Sequence, residues 1–351
     1  MLRVRPHALE SVADAQRLVQ LAIEVELSTL PPYLYALTTV APGSNQPAVT
    51  RLASIIREEM IHMALACNLM NALGGTPLVA DAKAITTYPG PLPGGIGDEH
   101  GQAFIVHLLP FSPAAIEQGM QIEEPESGPI VFPERAAQRA TLADAAPTFT
   151  TIGQLYHLLD RYLSGLPDDA WRRDTPQLTD DQFLAGELFA IATYDDAHRA
   201  ITRIVSQGEG SAESPLDFER ELAHYYRFAE IHQDQVLTRS DQPPGFAWGP
   251  RLGVDWSAVL PAIADPSTHD FSGDLKAQAA QDACDAAFTR MMTALQGAAV
   301  GTTGGLGLAV RAMFDLRAAG RAALATPLAG SDRVAGPAFR YRPELLTGRN
   351  P

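Results

Sequence analysis

The chain lacks most of what would hold or target it by special means. Cys67 and Cys284 are its only cysteines, too few for a disulfide framework. No stretch of about 20 uninterrupted apolar residues occurs, so no membrane span is expected. The opening MLRVRPHALESV has no apolar segment of the kind that secretory leaders carry. Basic residues are scarce: 26 Lys+Arg stand against 41 Asp+Glu, a net charge of −15, and no basic run occurs. Phosphate backbones are bound mainly by clustered cations, so a nucleic-acid partner is not expected. These absences point to a soluble protein of a reducing cytoplasm. What is present is ample apolar material, 46% of 351 residues, which excludes disorder and suffices for one large domain or two small ones.

Helical periodicity dominates. Leu18, Leu21, Ala22, Val25 and Leu30 recur at spacings of three and four, predicting a helix over 9–40 with a kink or break at Pro31 and Pro32. APGSNQP reads as a turn, and a second helix is expected over 48–73, ended by Gly74 and Gly75. Residues 76–147 are rich in Gly and Pro and read as a crossover, with room for a short strand near 104–109 and a short helix over 113–120. Further helices are expected over 151–163, over 180–206 with Thr179 as N-cap, over 216–237, and then over 272–298 and 308–325, before a C-terminal tail. The division expected is a helical bundle over 1–237 and an extension over 238–351 packed on it.

One constellation carries chemistry. In IIREEMIHM, Glu59 and His62 stand three apart, one turn along a single helix face, amid apolar neighbours. A buried carboxylate is costly unless paired or bound to a cation, and carboxylate oxygen with imidazole nitrogen suits iron, manganese or zinc. The same spacing recurs at Glu221 and His224 in ERELAHYYRF. Helix one supplies Glu24 and Glu26, which point about 200° apart. Glu26 and Glu59 lie at similar distances from a turn centred near Gly43, so Glu26 is the expected ligand and Glu24 the outward residue. Di-metal four-helix bundles take a Glu from each of two helices and a Glu-x-x-His from each of the others. Glu26, Glu59, His62, Glu221 and His224 are candidates for five of those six positions.

AIEVELSTLPPYLYAL, REEMIHMALACNLMNALGG, TIGQLYHLL, IVSQGEG and ELAHYYRF, in that order, resemble the ferritin-like family linked to iminophenyl-pyruvate dimer synthases of violacein- and rebeccamycin-type pigment pathways. The resemblance covers roughly residues 10–235, with a weaker match at GPAFRY. It implies a mainly α fold, a ferritin-like four-helix bundle with long crossover loops and additional C-terminal helices. It also implies iron at the centre, as a di-iron pair with manganese or a single metal as variants, and oxidation of a small amino-acid-derived imine. The pathway enzymes are much longer than this chain. Where the family carries an acidic residue in the TIGQLY segment, this chain has Gln154, so Gln154, Glu209 and Asp195 are candidates for the sixth ligand or its support. A small-molecule substrate, and a second copy or a biosynthetic enzyme as partner, are the expected associations. Ferritin-type iron storage and a metal-free scaffold are the competing readings.

Other features read as structural. Cys67 reads as a small buried hydrophobe, His107 and His157 as core histidines, and Asp195 with His198 as a polar helix face. Tyr33, Tyr35, Tyr225 and Tyr226 read as core rings with hydrogen-bonded hydroxyls. GTTGGLG, residues 301–307, lacks the strand and lysine of a phosphate loop and reads as an interhelix turn.

Overall fold

A computed structural model describes residues 11–97, 103–128, 130, 150–179, 186–211 and 213–347. Helix α1 covers Val12–Thr39, its first turn closed by Asp14, which accepts the Ser11 backbone N–H at 3.0 Å. After a short turn α2 runs Gln46–Ala72. It stops where Gly74 takes φ +71°, a left-handed conformation that lets Gly75 N–H close on the Met70 carbonyl at 3.0 Å. Helices α3 (Pro113–Ile122), α4 (Ile152–Leu163), α5 (Tyr194–Glu209) and α6 (His224–Gln233) follow. The last pair is α7 (Leu275–Ala299) and α8 (Gly305–Leu324).

Helices α1, α2, α4 and α5 pack as a four-helix bundle: α1 on α2 and α4, α5 on α2 and α4. Helices α3 and α6 pack on each other and close one side, touching α1, α2 and α5. The α7–α8 hairpin lies against α1 and α2 from outside the bundle, and one apolar core runs continuously from α1 into α8. Two small antiparallel ladders complete the fold, β1 (Gly90–Pro91) with β2 (Ile105–Val106), and β3 (Gln235–Arg239) with β4 (Phe246–Arg251). Residue 237, the expected boundary between bundle and extension, falls inside β3. No helix among the described residues is long and apolar enough to cross a membrane.

Several expectations change in detail. Helix α1 does not break at its prolines. Pro32 removes the N–H that would bind the Ser28 carbonyl, and the buried Tyr88 hydroxyl donates to that carbonyl instead, at 2.7 Å. Of the helix expected over 180–206, residues 180–185 lie outside the described residues, and over the rest a helix is found from Tyr194, capped by Thr193. Within the described residues the stretch before it is irregular. Asn68 of α2 holds it, donating to the Leu178 and Phe189 carbonyls at 2.8 Å each, while Leu188 and Ile191 enter the core. The helix expected over 216–237 is reduced to α6. Asp217 accepts the Glu221 N–H and Leu216 bridges to Leu222, so these residues form a tight turn with Arg220 at φ +69°. The expected tail also packs. Ala335, Ala338 and Phe339 are buried, and Arg340 pairs with buried Asp285 at 2.7 Å. His107 and His157 are not core residues: they bond Asp265 and Glu126 at 2.7 and 2.6 Å at the surface. Cys67 is buried as expected, its thiol pushed up to about 12 by burial.

Tyr88→Phe removes the donor and leaves the Ser28 carbonyl buried and unpaired. The expected loss is about 1–3 kcal/mol of unfolding free energy, read by urea denaturation, with Tyr162→Phe at the surface as the reference.

Candidate metal centre

Four carboxylates and two imidazoles converge inside the bundle. Glu26 comes from the middle of α1, and Glu59 and His62 from α2 one turn apart. Glu123 follows the end of α3, Glu209 is the last residue of α5, and His224 is the first of α6. All are nearly sealed from solvent: Glu26 and Glu59 are 2% exposed, Glu123 5%, Glu209 7%, His62 2% and His224 0%. Glu59, His62 and His224 each turn one ligand atom into a group spanning no more than 4.8 Å.

Glu59 stands at the middle. Its Oε1 lies 2.7 Å from His224 Nδ1 and 3.8 Å from His62 Nδ1. On one side His62 Nδ1 is 3.7 Å from Glu26 Oε2, and on the other His224 Nδ1 is 3.6 Å from Glu123 Oε2. The donors therefore fall into two sets that share Glu59. Glu26, Glu59, His62, Glu123 and Glu209 also line a cavity of about 20 Å³, room for one water-sized sphere.

The outer nitrogens decide the tautomers. His62 Nε2 meets Gln207 Oε1 at 2.8 Å. An amide oxygen only accepts, so Nε2 carries the proton and Nδ1 turns a lone pair inward. His224 Nε2 meets Glu58 Oε2 at 3.0 Å, and Glu58 Oε1 accepts from Arg227 Nη1 at 2.8 Å. His224 Nδ1, though 2.7 Å from Glu59, makes no aligned hydrogen bond. An orphaned buried nitrogen aimed at a carboxylate cluster is what a cation between them would satisfy.

Each carboxylate has its own support. Tyr156 donates to Glu26 at 2.5 Å, Thr29 to Glu59 at 2.8 Å and Tyr33 to Glu123 at 2.6 Å. Glu209 accepts backbone N–H bonds from Gly153 at 2.8 Å and Glu126 at 3.0 Å. Gly153 sits in the first turn of α4, where amides point outward and the helix dipole favours an anion. A Cβ there would collide with the Glu209 carboxylate as it is placed, so glycine at this position lets the acid reach the amide.

Without a cation the cluster holds protons. Burial, and then the charge of Glu59, raises Glu26 well above the carboxylate range. Burial also raises Glu123, and it pushes Glu209 up to about 7 against the pull of its two N–H donors. Burial acts the same way on Glu59 and Glu58, but histidine contacts outweigh it, and Glu58, held also by Arg227, falls to about 2. Burial lowers His62, whereas the carboxylates around His224 overcome burial and raise it well above an ordinary histidine.

The centre differs from the sequence reading at two points. Glu221 does not join it. Its side chain is 69% exposed, because the chain before His224 is a turn and the Glu-x-x-His spacing no longer means one helix face. Glu123, which the sequence reading missed, stands beside His224 instead. It ends a short helix inside a Gly- and Pro-rich crossover, and no spacing marks it. Of the three other candidates Glu209 lines the cavity. Gln154 turns away to accept the Thr150 N–H at 2.8 Å, and Asp195 is exposed in the first turn of α5.

The raised Glu209 pKa has a sign that can be tested on metal-free protein. The folded state holds this proton up to about pH 7, whereas an unfolded chain releases it near 4.5. The unfolded state therefore binds fewer protons in that window, and stability falls as pH rises through it. Glu209→Gln has no such proton, so its stability relative to wild type is expected to improve by about 3 kcal/mol between pH 4.5 and above pH 7. Urea denaturation of chelator-treated protein across this range checks it.

The comparisons fit this architecture. A crystal structure of a ferritin-like protein from Caulobacter vibrioides is similar with a TM-score of 0.60 and 20% identity, over 89% of this chain and 97% of that one. At that identity the likeness speaks for the fold. No curated protein matches the sequence. The family described as Ferritin-like matches residues 19–233, more than half of the chain and all six centre residues but none of the α7–α8 hairpin. On that match, and on a four-helix bundle with a buried carboxylate–histidine cluster, the chain belongs to the ferritin-like family.

Proposed function

We propose that the cluster holds two iron or manganese ions and that the protein is a non-haem metal oxidoreductase. The observation that carries this is the donor set: four buried glutamates and two histidines that divide into two groups around a shared Glu59. Glu26 and His62 would hold one ion, Glu123 and His224 the other, with Glu59 between and Glu209 on the cavity wall. Carboxylate and imidazole donors suit both metals. Four buried carboxylates with too few cations to balance them weigh against a metal-free scaffold. When bound, the metals supply one-electron redox chemistry toward oxygen or peroxide.

The protein's own groups orient and insulate. Gln207 and the Glu58–Arg227 pair fix the outer nitrogens of the two rings, so both inner nitrogens face the centre. Tyr33 and Tyr156 stay protonated, since burial raises both well above an ordinary tyrosine, and remain donors to Glu123 and Glu26. Ile152, Ile204 and Val205 exclude water from the wall. Following the sequence resemblance, the substrate would be a small amino-acid-derived imine, oxidised or coupled in secondary metabolism. A space of about 20 Å³ does not admit such a molecule, so it would approach from outside the carboxylate shell. That small volume favours a second reading, in which the iron itself is the substrate and is oxidised for storage or detoxification.

Metal analysis of anaerobically iron-loaded protein is the test. About two irons per chain are expected, lost in a His62→Ala, His224→Ala double variant and retained in Glu221→Gln. No metal above background in wild type overturns the proposal. Iron uptake far beyond two per chain, in a large closed oligomer by size-exclusion chromatography, would select the storage reading.

A further inference from the structure

A second internal space lies on the opposite side of the α1–α2 hairpin, where α7 and α8 cover it. Its volume is about 970 Å³, at the upper end of small-molecule sites. Leu27, Leu30 and Leu34 of α1 face it, displaced around the helix from Glu26, Thr29 and Tyr33, which face the metal centre. Five of the eight methionines line it: Met60, Met63, Met291, Met292 and Met313. Methionine is unbranched and polarizable, and a wall of it adapts to a flexible apolar body rather than to one rigid shape.

The charges at this space run against those of the whole chain. In a protein of net charge −15, no Asp or Glu among the described residues lines it, and the only charged lining residues among them are Arg317 and Arg321. Both are exposed on α8. They stand four residues apart on one helix face, a like-charge pair that costs stability on its own. Among the described residues neither side chain forms an ion pair or hydrogen bond. An anion between them would relieve that repulsion, and two guanidinium groups match a carboxylate.

We propose that this space binds an aliphatic monocarboxylate of the fatty-acid type, its head between Arg317 and Arg321 and its chain among the methionines and leucines. The site is separate from the carboxylate–histidine cluster and rests on no reading of it. Calorimetric titration of the full chain with decanoate tests it, with butyrate lacking the tail and decan-1-ol lacking the charge. Saturable binding of one decanoate per chain, and much weaker binding of butyrate, are expected. Arg317→Gln with Arg321→Gln should weaken decanoate about tenfold or more and leave decan-1-ol unchanged. Gly320 lines the cavity, and a Cβ there meets nothing nearer than Pro337 Cγ at 4.0 Å. Gly320→Phe should therefore put a ring inside the space and weaken binding of both long-chain probes, with metal content as in wild type. The two arginines are exposed, so their variant tests the proposal even if Gly320→Phe does not fold. Absence of saturable decanoate binding, equal binding by the arginine variant, or wild-type affinity for both long-chain probes in folded Gly320→Phe would overturn it.

Discussion

Burying four carboxylates in one place is the constraint on which the rest of this structure depends. An ionised carboxylate taken out of water without partners costs several kcal/mol even after relaxation. Here each has a dedicated donor: Tyr156 for Glu26, Thr29 for Glu59, Tyr33 for Glu123, and two backbone amides for Glu209. Those donors fix other features in turn. Glycine at 153 lets Glu209 reach its amide. Tyr33 and Thr29 reach inward on the same helix as Glu26, which must therefore continue through Pro31 and Pro32. The Tyr88 hydroxyl on the Ser28 carbonyl is part of what lets it do so.

The two histidines are held by different means, and this makes the two halves of the centre unequal. His62 leans on a neutral amide, Gln207, whereas His224 leans on Glu58, an ionised carboxylate that Arg227 keeps in place. A carboxylate on the outer nitrogen raises the basicity of the inner one, and an amide does so less. The half-site of His224 is accordingly the more electron-rich. Ions bound at the two positions would differ in affinity and potential although their donor types are the same.

How much of this could be read from the chain varies with distance along it. The α1–α2 pair, with Glu26, Glu59 and His62, follows from periodicity and from the height at which a tight hairpin sets facing residues. His224 was recognised, but through a partner that does not share its helix. The pairing with Glu221 assumes that apolar spacing extends one helix across 216–237, and Asp217 instead draws the chain into a turn. Glu123 owes its place to α3 packing on α6, a long-range contact with no local signature. The neutral residue at 154 looked like a lost ligand. In the fold its amide caps the start of α4, and the position next to it, Gly153, is the one that makes room for an acid from α5. That approach of Glu209 to the start of α4 is visible only once α4 and α5 are side by side.

Helix α1 explains why the chain extends beyond the bundle. A helix on the surface of a four-helix bundle needs one apolar face. This one is buried nearly all round, with Glu26, Thr29 and Tyr33 toward the carboxylate–histidine cluster and Leu27, Leu30 and Leu34 on another side. Left uncovered, that second side would be a large exposed apolar patch continuous with Ile56 and Met63 of α2. The α7–α8 hairpin covers it, and the segment that buries Phe339 is tied to the cover by the Arg340–Asp285 pair. The cover does not seat flush, since about 970 Å³ remains between the two hairpins. A lid required only for solubility would be expected to collapse onto the leucines beneath it, because an empty apolar space forfeits the dispersion contacts of its walls. A lid that stands off, with flexible methionines inside and two unpaired arginines at its edge, has the form of a wall around a ligand.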